Sequence, residues 1–395
     1  MFFVQSASFL SFQRKLEKGQ GRSNCQTLFG IEKIPSDNYI RVMLDEADPA
    51  LLRPSFERME RALYEPVMQD AFARLGGRTL IALDGTEYFC SQKLGCPHCL
   101  TRKRANGKTE NYHTMLAATV VAPGHSRVVP LFPEFIAPRD GAQKQDCERN
   151  AAKRWHEKHA ERLRPLRPVY LGDDLFACQP IADMLRNKGD DFIFTCKSGS
   201  HKALHDFIDG VEFEHHEEKI QKGRTRQTHR YRWIEGVPLR DGKDAALVNW
   251  IGFEIVDAKA NVTYAMAWVT SLPVNKENVA QIVACGRARW KIENEGFNVM
   301  KNHGYELEHN FGHGQTFLAM TLAALNLLAF AWHCVLDSIE PSWQDARKAA
   351  TTRRDFFAYL LTLSSFAVFP SWSAILAALT TFTIPPELLK TQKIE

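Results

Sequence analysis

The stretch TLIALDGTEYF, residues 79–89, decides how this chain is read. The apolar residues Leu80, Ile81, Ala82 and Leu83 run straight into Asp84 and Gly85. The apolar run bounded by Gly turns reads as a strand, and the lack of polar alternation marks a strand covered on both faces. A carboxylate at the end of such a strand is costly unless a cation or strong donors meet it. Taken alone, Asp84 is equally well explained as a solvated Asp-Gly turn.

Downstream, YHTMLAATVVAP (112–123) and RVVPLFPEFIAP (127–138) carry the same strand composition between Gly, Pro and Asn turns. DCERNAAKRWHEKHAERLR (146–164) then reads as a helix closed by Pro165. A short strand, PVYLGDD (168–174), a helix over 179–188 and a strand, DFIFTCK (191–197), follow. Three strands, then helix, strand, helix and strand make a mixed α/β sheet, in the order that a ribonuclease-H-like core uses. HRYRWIEGV, AALVNWIGFEIVDA and VTYAMAWVTS fill residues 199–272 with alternating strands, read as a β-rich insertion.

The expected organisation is a helical region over 1–76, core over 77–198, insertion over 199–272, core again over 273–337, and a helical region over 338–395. LLRPSFERMERALYEPVMQDAFARLGG carries helical spacing up to the Gly76-Gly77 stop, whereas the Met-Phe-Phe-Val opening lacks a cap, as a truncated N-terminal region would. FLAMTLAALNLLAFAWHCVL (317–336) has the length of a membrane span, but Asn326 and His333 interrupt it and a buried helix explains it better.

Asp173 follows an apolar strand at its carboxyl end, where open α/β sheets keep their sites. Asp174 competes with it, since either can cap the next helix. A third carboxylate comes from RARWKIENEGF (287–297), where Glu293 lies four residues after Arg289 and projects from the same side of the helix. A surface Arg/Glu pair is the plain account of that spacing, and Glu295 is the weaker alternative. Two Asp on neighbouring strands with a Glu on a later helix can hold two Mg²⁺ or Mn²⁺ ions about 4 Å apart and serve phosphoryl transfer.

The order LDGTEY, LGDDLFA, RARWKIENEGF resembles the core of cut-and-paste insertion-sequence transposases of the DDE class. The block at 199–272 is similar to the insertion of the branch named after insertion sequence four. The resemblance covers residues 75–335, and its most specific element is Arg-Trp-x-Ile-Glu at Arg289 to Glu293. It implies a bacterial, cytoplasmic, nucleoid-associated enzyme. Such an enzyme binds terminal inverted repeats of double-stranded DNA, nicks to a 3′-hydroxyl, joins that end to a target and works as a homodimer on paired ends. Asp84, Asp173 and Glu293 would be its catalytic metal ligands. In that branch an Arg and a Lys near the Glu contact phosphates. Arg289 matches the first, while the Lys position is Met300, with Lys301 one place on. A Tyr expected three residues before the Arg is here Gly286.

Net charge is only +4. The charge is uneven, however: Lys93 to Lys108 and Lys219 to Arg232 hold basic residues without a carboxylate, the second beside Tyr231 and Trp233. Such runs suit a phosphate backbone, and Arg224 and Arg226 are candidate contacts, although a solvated hairpin face is as good an account. The run Glu214 to Glu218 reads as a solvated acidic face, and Trp290 with Phe297 as the core face of its helix. His309 and His313 mark a glycine-rich turn, NFGHGQ, for which the residues assign no role. Nine cysteines point to a reducing cytosol. Cys96-Pro97-His98-Cys99 suits one half of a structural zinc site, its partners open among Cys90, His98, His113 and Cys147, while free cytosolic thiols are at least as good an account. Three other functions compete: a nuclease that only hydrolyses, an inactive DNA-binding remnant, and a glycosidase with paired carboxylates. The glycosidase leaves the basic runs unexplained.

Overall fold

The computed structural model describes residues 1–6, 8–138, 146–223 and 225–389. The chain opens with α1 (Phe9–Glu17), α2 (Arg22–Phe29), α3 (Asp37–Glu46), α4 (Arg53–Glu60) and α5 (Pro66–Phe72). Ser8 and Ser36 start α1 and α3 by accepting hydrogen bonds from Ser11 and Tyr39 N–H groups, satisfying donors the helices leave free. Six strands follow: β1 (Ala73–Arg74), β2 (Arg78–Ser91), β3 (Leu100–Lys103), β4 (Thr109–Val121), β5 (Val129–Pro130) and β6 (Glu134–Ile136). Next come α6 (Glu148–Leu163), β7 (Val169–Gly172), α7 (Gln179–Asn187), β8 (Asp191–Thr195) and α8 (Lys202–Ile208).

Strands β9 (Glu214–Lys222), β10 (Thr225–Pro238), β11 (Leu247–Val256) and β12 (Val262–Thr270) complete the sheet. Among the described residues its order is β3-β4-β2-β7-β8-β12-β11-β10-β9, with β1 on β2 and with β5 and β6 on β4. β2 is antiparallel to β4 and parallel to β7, which is parallel to β8. Parallel neighbours need crossovers, and α6 and α7 supply them. Being central, β2 buries Leu80 to Leu83 on both faces, which is why its sequence does not alternate.

Two details differ from the sequence reading. The stretch 127–138 is not one strand but the short β5 and β6, because Pro130 and Pro133 interrupt pairing. The strands over 199–272 do not form a sheet of their own. β12 pairs antiparallel with β8 through Trp268↔Thr195, Val269↔Phe194 and Thr270↔Ile193, covering an edge that would otherwise expose its backbone groups. The acidic run 214–218 is solvated as read: it lies in β9 with Glu214, His215 and Glu217 exposed, and Glu217 sits opposite Arg230 and binds it at 2.8 Å.

The remaining helices are α9 (Val279–Arg287), α10 (Asn298–Asn302), α11 (Leu318–Ile339), α12 (Pro341–Ala349), α13 (Arg353–Phe366) and α14 (Trp372–Thr381). Among the described residues α11 alone is long and apolar enough to cross a membrane, and 83% of its most apolar stretch is buried inside the fold. Its polar residues have partners there: Asn326 donates to the Tyr305 carbonyl at 2.8 Å, and His333 Nδ1 meets the Tyr305 hydroxyl at 2.6 Å. The first and last helices share a second core, held by Asn24, which donates to Ser364 and Ala367 carbonyls and accepts from Phe369 N–H.

Candidate active site

The register of β2 against β7 brings the first two acids level. The last parallel pair is Ala82↔Leu171, and two residues further along each chain stand Asp84 and Asp173. Side chains two apart share a face, so both emerge at the carboxyl end of the parallel strands. Asp173 and Asp174 have different neighbours. Asp174 Oδ1 accepts from Lys197 N–H at 2.6 Å and lies 3.2 Å from His201 Nε2, on the α8 side. Asp173 Oδ1 accepts from Leu175 N–H at 2.9 Å, and its charge reaches Asp84.

Glu293 arrives from the segment after α9. Here the helix tightens over Ala288–Trp290 and then widens into a π turn over Ile292–Phe297. Such turns recur at functional sites because they re-aim side chains. The π turn packs against β2 and β4. Arg289 links the two halves of the site: Nη1 lies 3.2 Å from Asp84 Oδ2 and Nη2 lies 2.8 Å from Glu293 Oε1. Gly286 is explained by packing, since a Cβ there would lie 2.8 Å from Trp268 Nε1. Met300 is buried, so the neighbouring cation is the half-buried Lys301, paired with Glu308 at 2.7 Å.

A fourth carboxylate, Glu148, joins the group and was missed in the sequence. It occupies the first turn of α6, where a helix favours negative charge. Its carboxylate lies over Gly85: a Cβ at that residue would come within 2.1 Å of Glu148 Oε1. The glycine of LDG is therefore the available signal, for it leaves room beside Asp84 for another acid. Glu148 is pushed above the usual range by burial and by Asp173. Asp84 is pushed up to about 7. Burial is the largest cause; Arg289 opposes it, and Glu293, Asp173 and Glu148 add to it. A single guanidinium thus touches a group of four acids and leaves Asp84 reluctant to ionise.

Residues 141–330 match the transposase DDE domain. The match supports a DDE transposase, and hence an enzyme acting on DNA, in DNA transposition and recombination. The transposase domain span includes Glu148, Asp173, Arg289 and Glu293, while Asp84 lies before it. The curated proteins include no match to this chain.

Beside Asp173 a groove of about 1070 Å³ is lined by the cations Arg149, Lys197, Lys202 and Arg240, set among Asp174, Asp183 and Asp241. Sequence reasoning did not single out these cations because they come from four separate segments. The basic runs it did single out are partly neutralised: Arg102 binds Glu87 and Glu110, and Arg104 binds Glu110. Arg226 is exposed on β10, and Arg224 lies outside the described residues. Trp290 is not a core residue. It is 44% exposed, with Lys291 Nζ 5.1 Å from its ring centre, because the tightened turn rotates it away from the face carrying Ile292.

The structure brings Cys96 and Cys99 together with His113 and His313. Cys90 is exposed beside Arg102, His98 stacks on Phe317, and Cys147 is exposed before α6. None of these three joins the cluster. His313 was unassigned in the sequence because it lies 200 residues beyond His113.

Proposed function

We propose that this chain is a DDE transposase that cleaves and joins the DNA ends of a bacterial insertion sequence, with Asp84, Asp173 and Glu293 as its catalytic carboxylates. The strand order β6-β4-β2-β7-β8, antiparallel then parallel, supports a ribonuclease-H-like core with 199–272 as its inserted strands. The observation that carries the proposal is the convergence at one end of that sheet. Two acids share one register level, a third is tied to the first through Arg289, and a fourth leans over Gly85.

Carboxylate oxygens are the donors that Mg²⁺ and Mn²⁺ prefer. Burial raises Asp84 most, and the neighbouring Glu293, Asp173 and Glu148 add to it against Arg289, a cost that a bound cation would relieve. The residues therefore fit two divalent ions, which would activate the attacking oxygen and stabilise the leaving one on phosphorus. Asp84 is held within β2 and Asp173 directly follows β7, which fixes their geometry before DNA arrives. Burial and the neighbouring Asp173 raise Glu148 above the usual carboxylate range, which favours its protonated form. The Arg289 fork suits a phosphate as well as it suits the acids. The groove beside Asp173 offers Arg149, Lys197, Lys202 and Arg240 to a phosphate backbone; Lys301, from the resemblance, and Arg226, from the basic run, are further candidate contacts. Terminal inverted repeats as the DNA bound, a homodimer on paired ends, kinship to the insertion-sequence-four branch, and a cytoplasmic, nucleoid-associated setting rest on the resemblance of the motifs.

Cleavage and joining of labelled DNA ends with Mg²⁺ or Mn²⁺ tests this reading. Asp84→Ala, Asp173→Ala and Glu293→Ala are each expected to abolish both steps and to leave DNA binding largely intact. Retained nicking in one of them removes that residue from the site. Nicking without joining in the wild type identifies a nuclease, and binding without either step identifies an inactive remnant.

A further inference from the structure

We propose that Cys96, Cys99, His113 and His313 form a closed structural zinc site that fastens the segment after the Glu293 turn to the sheet carrying Asp84. The four ligating atoms lie within 4.8 Å of one another. The thiol sulfurs are 3.9 Å apart, His113 Nε2 lies 3.4 Å from Cys96 Sγ and 3.3 Å from Cys99 Sγ, and His313 Nε2 lies 3.4 Å from Cys99 Sγ. A zinc ion with ordinary bond lengths, about 2.3 Å to sulfur and 2.0–2.1 Å to nitrogen, implies tetrahedron edges of about 3.8 Å between sulfurs and about 3.6 Å from sulfur to nitrogen. The observed separations lie close to those edges.

The surroundings also fit a structural ion. Cys99, His113 and His313 are buried. Tyr88 stacks on His113, and the Phe89 ring lies 4.5 Å from that of His313. His313 Nδ1 is 3.0 Å from the Gly314 carbonyl and so donates to it, which leaves Nε2 as the unprotonated ligand atom. Two thiolates select zinc over the hard cations that carboxylates hold, and four protein ligands leave no position for a substrate. A redox pair is a poorer account. The sulfurs stand 3.9 Å apart, against about 2.05 Å in a disulfide, and the knuckle leads into β3 and not into the helix start that lowers a reactive thiol.

The site has a mechanical consequence. Cys96 and Cys99 lie between β2 and β3, His113 is on β4, and His313 precedes α11. Asp45 pins the same stretch by accepting N–H bonds from Gln315, Thr316 and Leu318. With zinc bound, the 303–317 connection is anchored at both the sheet and α3.

Metal analysis of the full chain, expressed with zinc and purified without chelator, tests the proposal. About one zinc ion per chain is expected, falling below about one tenth in Cys96→Ser and Cys99→Ser, while Cys90→Ser keeps its ion. Should the variants not fold, the wild type still decides. Capping its thiols with an organomercurial must release the zinc, and cobalt exchanged into the site must show tetrahedral bands with thiolate-to-metal charge transfer. Folded wild-type protein holding no zinc and taking up no cobalt overturns the proposal. So does full zinc retention in both serine variants, or a Cys96–Cys99 disulfide found by mass spectrometry in freshly purified chain.

Discussion

Two clusters of four side chains, one of carboxylates and one of thiols and imidazoles, stand in this molecule, and they are built in opposite ways. The acidic cluster uses hard oxygens from strands and helix turns; Glu293 is exposed, and one guanidinium binds two of the four carboxylates, Asp84 and Glu293. The Cys/His cluster uses soft donors, three of its four residues are buried, and aromatic rings close around it. The first has places left for water and phosphate, while the second has none. Openness and donor type, more than the number of ligands, separate a site suited to chemistry from one suited to fastening.

The sharpest test of that contrast is reciprocal. Glu293→Gln is expected to lower DNA cleavage by about 10³-fold or more, roughly 4 kcal/mol in barrier, yet to keep the full zinc content. Cys99→Ser is expected to lose the ion and with it on the order of 4 kcal/mol of stability, the linkage for zinc about a thousandfold above its dissociation constant. Denaturant melts with metal analysis check both. If Glu293→Gln also sheds zinc, the two clusters are one mechanical unit and the contrast fails.

An effect no larger than these probes the charge on the acidic side. Asp84 titrates at about 7 in the folded chain against an ordinary value of 3.8. A carboxyl raised on folding binds its proton more tightly in the native state, so its contribution to stability falls as pH rises from near 4 through 7. In metal-free buffer Asp84→Asn is therefore expected to melt later than wild type at pH 8, by up to about 4 kcal/mol, and no later at pH 4. Equal melting at both pH values would mean that Arg289 compensates the acids fully. Adding Mg²⁺ or Mn²⁺ should narrow the gap at pH 8 by stabilising the wild type.

The smallest effect concerns Trp290, which stands beside the acidic cluster without belonging to the core. Trp290→Ala is expected to change stability by less than about 0.5 kcal/mol, as exposed positions do. A loss of several kcal/mol in a thermal melt would return it to the packed face.

How far the sequence carried each site follows from the range of the interactions. Period and composition are local, so β2, β4, β7, α6 and the strands of 214–270 were readable, apart from β9, whose acidic run masks its pairing. The prolines that broke 127–138 into β5 and β6 were visible, but strand composition outweighed them. Trp290 misled because an ideal 3.6-residue period was assumed across a segment that tightens and then widens.

By itself the sequence determined which residue types stand where: an acid after a buried apolar run, another after Gly172, an Arg and a Glu four apart, and two thiols three apart. These are properties of short stretches, set by side-chain chemistry and backbone period. Only the tertiary structure decided what meets what. Register levelled Asp84 with Asp173, crossover packing brought Glu148 over Gly85, β12 joined β8, and the return of the chain after the π turn carried His313 to Cys99. Such meetings depend on strand registers and packed helices far apart along the chain, and no local pattern encodes them.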